Sequence, residues 1–356
     1  MLAAWRELAA TALEPNPFFA PEMASAAARH LPLGKADRLL AVHDGDRLAL
    51  ALPVRRVASY RRVPIPTVVS WGHAHSFLDT PLVAAADPTR AVETALDVLR
   101  TAGVGWLALE RLPADGPVRG ALDAALKTRR ISPRTLQEHE RPVVRRRADP
   151  TYLDGRLSAR RRKRLRSQRR GLEAALGGPA CTRDLGRIDF QPALERFLAL
   201  ERAGWKGRAG TALSSDPAGA DFFRQAMAAF AREGRVQIWE LQVGDVTVAV
   251  VCAVVSGGGV FHLKTAYDER HAVHSPGLQL EIDLIQAFHD DPALAWIDSC
   301  TPGGSSPSAL LYPDRRVVQT LLIPLGDARA RLGGHALEQS MRWRSWVRDR
   351  VSACGR

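Results

Sequence analysis

The pattern of apolar and polar positions changes its period within residues 260–288. From Val260 to Tyr267 the two faces alternate, which predicts a β-strand with His262 and Lys264 on the same face. After this strand the apolar residues recur at helical spacing; they are Leu278, Ile282, Ile285 and Phe288. The sequence therefore predicts a strand that leads through a polar loop into a helix. Because the first N–H groups of a helix and its dipole favour negative charge, an anion is the expected ligand of this loop.

The same order of elements is predicted twice along the chain. One alternating hairpin spans residues 38–57, and a second one spans residues 235–255. Each hairpin is followed by a strand, a helix and another strand. Two copies of one mixed α/β unit are the simplest explanation of this order. The predicted domains are residues 1–150 and residues 151–356.

Length and composition fit a soluble globular protein with more than one core. A chain of 356 residues exceeds what one hydrophobic core usually organises. The longest apolar run, residues 246–255, is strand-sized, and the N-terminal segment lacks a basic region, so we expect no transmembrane segment and a cytoplasmic location. The four cysteines form no CxxC motif, and His73 and His75 have no third ligand near them in sequence, so we expect no metal site.

The positive charge is concentrated in one segment. The whole chain has a formal net charge of +12, and residues 141–170 alone contain 13 Lys and Arg against two Asp. Most of these cations belong to a helix predicted from Ser158 to Ala175, which has only a narrow apolar stripe of Leu157, Leu165 and Leu172. Such a helix packs along one line and exposes charge elsewhere. A solvated surface is the simplest interpretation of that charge.

The functional interpretation of this helix is that its arginines bind a phosphorylated ligand. Arg161, Arg162 and Arg166 would contact the donor's phosphates, a glycan-linked or nucleotide-linked acceptor, tRNA or an anionic membrane surface. Trp205 and Lys206 lie between two glycines just past a predicted helix end, where a turn would present both to a ligand. An indole beside a cation suits a sugar or a nucleotide, whereas ordinary packing of the indole is the alternative.

Four segments together resemble a known family. They are SARRRKRLRSQRRGLEA, FLALERAGWKGRAGTAL, HLKTAYDERHAVHSPGLQLEIDLIQAF and WIDSCTPGG. The combination is similar to the bacterial GNAT-type acyltransferases of the CelD-like family associated with cellulose biosynthesis. More distantly, it resembles the Fem-type peptidyltransferases, which are tandem GNAT folds. The resemblance implies tandem GNAT-like units with a basic connecting helix, an acyl donor bound by the second unit and an acceptor cleft between the units.

Three residues have predicted catalytic roles, and for Lys264 and Tyr267 the resemblance supports the role. Lys264 would stabilise the carbonyl oxyanion or neutralise a donor phosphate, and Tyr267 would protonate the leaving thiolate. Asp298, at the end of the strand WIDSC, would act as the general base. The structural alternatives are a charge at a strand edge, a half-buried strand tyrosine and a cap to the next turn. His75 would line the acceptor cleft from the first unit.

The loop before the second predicted helix would bind the donor. Its predicted donor contacts are Arg270, His274, Ser275, Gly277 and Leu278. A GNAT loop usually has a glycine where this chain has Pro276, so the loop offers fewer N–H groups to a pyrophosphate. The donor is therefore acetyl-CoA or another acyl-CoA, with aminoacyl-tRNA as the alternative.

These features predict an acyltransferase. The acyl group would move from the CoA thioester to an amine or hydroxyl of a cell-envelope or exopolysaccharide precursor. Two alternatives are a Fem-like peptidyltransferase that depends on aminoacyl-tRNA and a module that binds anionic ligands without catalysis.

Overall fold

The computed structural model describes residues 1–32, 37–148, 151–301 and 306–326. The strands are β1 (Asp37–Asp44), β2 (Arg47–Val57), β3 (Thr67–Ser70), β4 (Leu82–Val83), β5 (Trp106–Pro113), β6 (Arg134–Arg145), β7 (Ala180–Asp184), β8 (Val236–Val243), β9 (Val246–Ser256), β10 (Gly259–Tyr267), β11 (Trp296–Asp298) and β12 (Asp314–Pro324). The sequence also predicts a basic C-terminal helix from Gly326 to Val351, and this segment lies outside the described residues after Gly326.

The helices account for most of the remaining described chain. They are α1 (Leu2–Thr11), α2 (Pro21–His30), α3 (Pro88–Thr101), α4 (Pro117–Thr128), α5 (Tyr152–Arg156), α6 (Ala159–Leu176), α7 (Phe190–Ala203), α8 (Trp205–Arg208), α9 (Pro217–Ala231), α10 (Pro276–Asp290) and α11 (Pro307–Leu311). Three short 3₁₀ segments are Pro17–Phe19, Leu213–Ser215 and Glu269–His274. None of the helices in the described ranges is long and apolar enough to cross a bilayer.

The described chain forms two compact units. The first contains residues 1–21, 37–139 and 317–326, and the second contains residues 22–32, 140–148, 151–301 and 306–316. This division differs from the predicted boundary at residue 150, because it falls within β6 and within β12. The end of β6 pairs with β11 of the second unit, and β12 pairs with β5 of the first. Each unit thus obtains its last strand from the other half of the sequence.

Each unit, taken by itself, has the same strand arrangement. In the first unit β1 and β2 form an antiparallel hairpin, β3 is antiparallel to β2, and β3 is parallel to β5. In the second unit β8 and β9 form the hairpin, β10 is antiparallel to β9, and β10 is parallel to β11. Helix α3 lies in the parallel connection of the first unit and α10 in that of the second. The predicted twofold repeat of hairpin, strand, helix and strand is therefore confirmed.

The basic helix α6 packs as its sequence predicts. Ser158 caps its start by accepting a hydrogen bond from the N–H of Arg161, and Gly177 ends it in the left-handed conformation. Its buried residues are Leu165 and Leu172, which join one apolar cluster with α10. Because the rest of the helix surface is polar, α6 gains its packing from one narrow stripe.

The prediction that His262 and Lys264 share a face of β10 is wrong. The pairing register between β10 and β9 shifts between these residues, which marks a β-bulge. His262 contacts Tyr312 and lies 3.5 Å from the carboxylate of Glu281 on α10. Lys264 instead lies close enough to Glu201 on α7 for that carboxylate to act on its pKa. The bulge turns the lysine away from α10 because one extra residue reverses the alternation.

Candidate active site

Strands β10 and β11 separate after three paired residues. The parallel pairs are Gly259 with Trp296, Val260 with Ile297, and Phe261 with Asp298, where β11 ends. Strand β10 continues to Tyr267 and stays paired with β9 on its other side. Residues 262–267 therefore present an edge that no strand covers in the described part of the chain, and we call it the open edge. Its N–H and C=O groups suit an extended ligand that contains amides.

A buried carboxylate and a lysine lie at this open edge. The Nζ of Lys206 is 3.0 Å from the carbonyl oxygen of Thr265 and 3.0 Å from Oε1 of Glu201. The other Glu201 oxygen accepts a hydrogen bond of 2.8 Å from the N–H of Leu213. Glu201 is only 2% exposed. Sequence reasoning missed it, although a glutamate four residues after Phe197 on the apolar face of α7 is a recognisable signal.

Lys264 belongs to the same group of charges. Burial lowers the pKa of the Lys264 ammonium, the carboxylate of Glu201 raises it, and the charge of Lys206 lowers it. The net direction of the pKa is downward. A desolvated cation beside a strand edge interacts more strongly with developing negative charge than a hydrated one, because the local dielectric is lower.

Two aromatic side chains, Trp205 and Tyr267, lie beside these charges at the end of β10. Trp205 is 54% exposed, and its backbone N–H donates a 2.5 Å hydrogen bond to Oε1 of Glu269. Trp205 and Lys206 line a small cavity of about 30 Å³ together with Thr265 and Tyr267. The structure therefore brings the predicted Trp205 and Lys206 to the end of β10, about 60 residues away in sequence. The indole remains available for a ligand because more than half of it faces solvent.

The predicted donor loop offers one unused N–H group at the start of α10. The N–H of Ser275 donates to the carbonyl of Ala272 at 2.9 Å, and that of Leu278 donates to Ser275 at 3.1 Å. Among the described residues, the N–H of Gly277 has no acceptor. Ser275 is left-handed, with φ 53°, which sets the entry into the helix. A single N–H together with the helix dipole binds an anion more weakly than the several N–H groups of a full glycine loop.

Arg270 stays on the loop surface. Its guanidinium bonds Asp268, and its side chain is 81% exposed. The hydrogen bond from Arg270 lowers the pKa of Asp268, with burial acting in the opposite direction. An arginine this exposed keeps enough freedom to meet a phosphate at the loop.

Helix α6 lies against the donor loop. The amide nitrogen of Gln168 donates to the carbonyl of Val273 at 2.6 Å and to Oγ of Ser275 at 3.2 Å. Of the three predicted phosphate ligands, Arg162 and Arg166 face α10 across a shared cavity. Arg161 is exposed and does not line that cavity.

Asp298 is fully buried and bound by cations. It accepts hydrogen bonds from Arg316 at 3.1 Å, from Arg141 at 3.5 Å and from the N–H of Cys300 at 2.8 Å. The two guanidinium groups and this N–H already occupy both oxygens of the carboxylate. This geometry favours a positioning role for Asp298, at the end of β11, over the predicted role of general base.

The corresponding edge in the first unit is filled by the chain itself. The N–H of Asp79 donates to the carbonyl of Arg111 at 3.3 Å, and the Asp79 carboxylate accepts bonds from Arg111 at 2.9 Å and from Ser70 at 3.0 Å. Burial raises the pKa of Asp79 to about 6, with Arg111 acting in the opposite direction. His75 lies in the same loop, and its N–H donates to Nδ1 of His73 at 3.2 Å. The open edge is thus a feature of the second unit.

No metal site is evident in the part of the chain that the structure describes. Groups of three or more His, Cys, Asp or Glu side chains with metal-binding geometry do not occur there.

Burial raises the pKa of the Cys300 thiol well above its ordinary value, with the Asp298 charge adding to the rise. The thiol therefore stays protonated and is a poor nucleophile.

Known proteins resemble this chain in sequence and in fold. Residues 159–305 match the family model described as acetyltransferase (GNAT) domain. No curated protein sequence matches the chain. The crystal structure of FemX is similar over 91% of this chain and 95% of its own, with 9% identity and a TM-score of 0.60.

Two further solved structures have the same fold. The C-terminal domain of a lysylphosphatidylglycerol synthetase candidate from Agrobacterium fabrum is similar over 93% of each chain, with 11% identity and a TM-score of 0.52. L-PGS from Bacillus licheniformis is similar over 89% of this chain and 95% of its own, with 12% identity and a TM-score of 0.50.

The family match and the strand arrangement agree. The chain has a mixed α/β fold of two GNAT-like units, its residues 159–305 match a GNAT acetyltransferase domain, and it is an acyltransferase enzyme. The fold-level resemblance to a Fem protein is confirmed, whereas no comparison shows the CelD-like family.

Proposed function

We propose that the enzyme transfers an acyl group from acetyl-CoA or another acyl-CoA to an amine or hydroxyl of a cell-envelope or exopolysaccharide precursor. The observation that carries this proposal is the open edge of β10, residues 262–267, which runs toward the free N–H of Gly277 at the start of α10. A cytoplasmic location and a small-molecule or carrier-linked acceptor belong to the same proposal.

The donor would bind in two parts. Its amide-containing arm would lie along the open edge and exchange hydrogen bonds with the β10 backbone, as an added strand does. Its phosphates would meet the N–H of Gly277, the positive end of α10 and the side chains of Arg270 and His274. Ser275 and Leu278 would shape this loop, because their own N–H groups are already bonded within it.

The reaction would then be a direct attack on the thioester. The acceptor nitrogen or oxygen forms a bond to the acyl carbon while the carbon–sulfur bond breaks, and the acceptor's proton leaves to water. Lys264 and strand N–H groups would stabilise the oxyanion. Tyr267 would give its proton to the departing thiolate and regain one from water. Asp298 would hold the end of β11, and Trp205 and Lys206 would contact the acceptor.

A second candidate donor is aminoacyl-tRNA. Two observations favour it: the N–H groups of Ser275 and Leu278 are already bonded within the loop, and the basic helix α6 packs directly against the loop. A solved relative of the same fold carries the name lysylphosphatidylglycerol synthetase. Under this alternative Arg161, Arg162 and Arg166 would bind RNA phosphates, and affinity would fall steeply with salt.

Calorimetric titration separates the two donors. The protein is titrated with acetyl-CoA, with longer acyl-CoA homologues and with tRNA at low and high salt. Saturable acyl-CoA binding that persists at high salt supports the proposed reaction. Absence of acyl-CoA binding together with salt-sensitive tRNA binding at micromolar affinity would contradict it and support the second candidate.

A further inference from the structure

A cavity of about 270 Å³ lies between α6 and α10 in the second unit. None of its lining residues belongs to β10, so it is distinct from the open edge. One wall is apolar and is formed by Leu157, Leu165 and Ile282. Arg162 and Arg166 of α6 also line the cavity. This combination of an apolar wall and cations suits a ligand that is itself part apolar and part anionic.

The side chain of Gln279, at the wall of this cavity, has an unused hydrogen-bond acceptor. The side chain is 4% exposed and lines the cavity. Its amide nitrogen donates to the carbonyl of His274 at 2.7 Å, which fixes the oxygen as the remaining group. That oxygen, Oε1, has no donor among the described residues. A buried acceptor without a donor costs free energy, so a ligand that donates a hydrogen bond there gains affinity.

One cation in the cavity is not neutralised by the described protein. Arg169 pairs with Asp283 at 2.9 Å, and Asp283 also accepts a bond from Thr182. Arg166 is exposed, and the described residues give it no hydrogen bond or ion pair. A guanidinium of this kind binds phosphate through two parallel hydrogen bonds.

We propose that this cavity binds an organic phosphate with three parts: a phosphate, an apolar or aromatic body and a hydrogen-bond donor. The phosphate pairs with Arg166, the body packs on Leu157, Leu165 and Ile282, and the donor meets Oε1 of Gln279. A nucleoside monophosphate has all three parts. The inference deepens the proposed function by naming the chemistry of a second ligand, and it rests on that function for the identity of the adjoining loop as the donor site.

Hydrogen bonds connect the walls of the cavity to the donor loop. Gln279 holds the carbonyl of His274, and Gln168 on α6 holds the carbonyl of Val273. A ligand that bonds Gln279 and spans α6 and α10 therefore stabilises both loop anchors. We expect the organic phosphate and the acyl donor to change each other's affinity by the same factor, since coupling between two sites is reciprocal.

The test is a titration with AMP, adenosine and inorganic phosphate. Wild-type protein should bind AMP more tightly than either of its parts. Arg166→Gln should weaken AMP binding about tenfold or more and leave adenosine binding unchanged, because one charge-assisted contact is lost. Arg170→Gln is the matched control, since Arg170 is an exposed arginine of the same helix outside the cavity. It should change AMP affinity less than about twofold.

Two results would overturn the inference. One is AMP binding no tighter than that of inorganic phosphate. The other is that Arg166→Gln and Arg170→Gln weaken the binding of AMP, or of phosphatidylglycerol vesicles, by the same factor. That result would show that α6 attracts anions through its overall surface charge and not through a specific site. Titration of acetyl-CoA keeps the two proposals separate. If AMP binding depends on Arg166 while acetyl-CoA binds nowhere, the proposed function fails and the cavity site stands.

Discussion

Replacing Gly277 by aspartate tests the donor loop with little disturbance of the fold. A Cβ at Gly277 would lie 3.7 Å from Cδ1 of Tyr267, which is ordinary contact, and the residue has no positive φ. The position is the second residue of α10, where a carboxylate interacts favourably with the helix dipole. We therefore expect Gly277→Asp to fold and to keep the stability of the wild type within about 1 kcal/mol.

The same carboxylate should repel a bound phosphate. Two unit charges roughly 5 Å apart interact by about 3 kcal/mol at an effective dielectric constant of about 20. Screening by salt reduces this value, so a loss of about 1.4 to 3 kcal/mol remains, which corresponds to roughly tenfold to hundredfold weaker binding. Loss of the favourable dipole at the occupied helix end acts in the same direction.

The assay is a calorimetric titration with acetyl-CoA, accompanied by thermal unfolding of each variant. Gly277→Ala is the matched control, because it adds a Cβ without charge. We expect the alanine variant to bind within about threefold of the wild type and the aspartate variant to bind at least about tenfold more weakly. Unchanged binding by a folded aspartate variant would refute the role of the loop, and equal loss in both variants would attribute the effect to size.

Three further predictions concern buried charges. Glu201→Gln should lower the free energy of unfolding, measured with urea, by about 3 kcal/mol, because the half-buried Lys206 loses its anionic partner. A loss below about 1 kcal/mol would contradict the pairing. Burial, with the charges of His75 and Arg111, lowers the pKa of His73 to about 3. The contribution of this histidine to stability is therefore present above pH 6.5 and is lost as the pH falls toward 3, by at most roughly 5 kcal/mol. In urea unfolding, His73→Gln should make the free energy of unfolding depend less on pH over this range. Lys264→Ala should reduce thiol release from acetyl-CoA about tenfold or more at low and high salt alike, and an effect that disappears in high salt would show only surface charge.

Periodicity is sufficient to predict the elements around the site. The change from alternation to helical spacing places β10 and α10 nearly as the structure has them, since both elements bury one face and repeat it regularly. Leu165 and Leu172 of the basic helix, and Leu157 just before it, likewise join the core of the second unit. These predictions depend on local pattern, which the sequence displays directly.

Features that depend on contacts between distant residues are not predictable in this way. The bulge that separates His262 from Lys264 leaves no mark on the hydrophobic pattern. The exchange of β6 and β12 requires knowledge of strand pairing, because the sequence of a strand does not show which neighbour it pairs with. The ion pairs of Asp298 with Arg141 and Arg316 join residues that only the fold brings together. In sequence, a terminal strand aspartate therefore resembles an exposed base although it is buried and paired.

Glu201 shows which sequence signal reveals such a site. A carboxylate on an apolar helix face must be paired when buried, so its position indicates a cationic partner. The partner Lys206 is only five residues away and is itself one of the candidate ligand-binding residues. A search for charged residues on the apolar faces of predicted helices would link the two from the amino-acid sequence alone.

Hydrogen exchange of backbone amides tests the central claim, that an acyl donor binds along β10 and at the start of α10. Exchange is measured with and without saturating acetyl-CoA. We expect added protection in residues 262–267 and at Gly277, and no added protection in β3, the corresponding strand of the first unit. Protection confined to the first unit, or absent from β10 while acetyl-CoA is bound, would contradict the account.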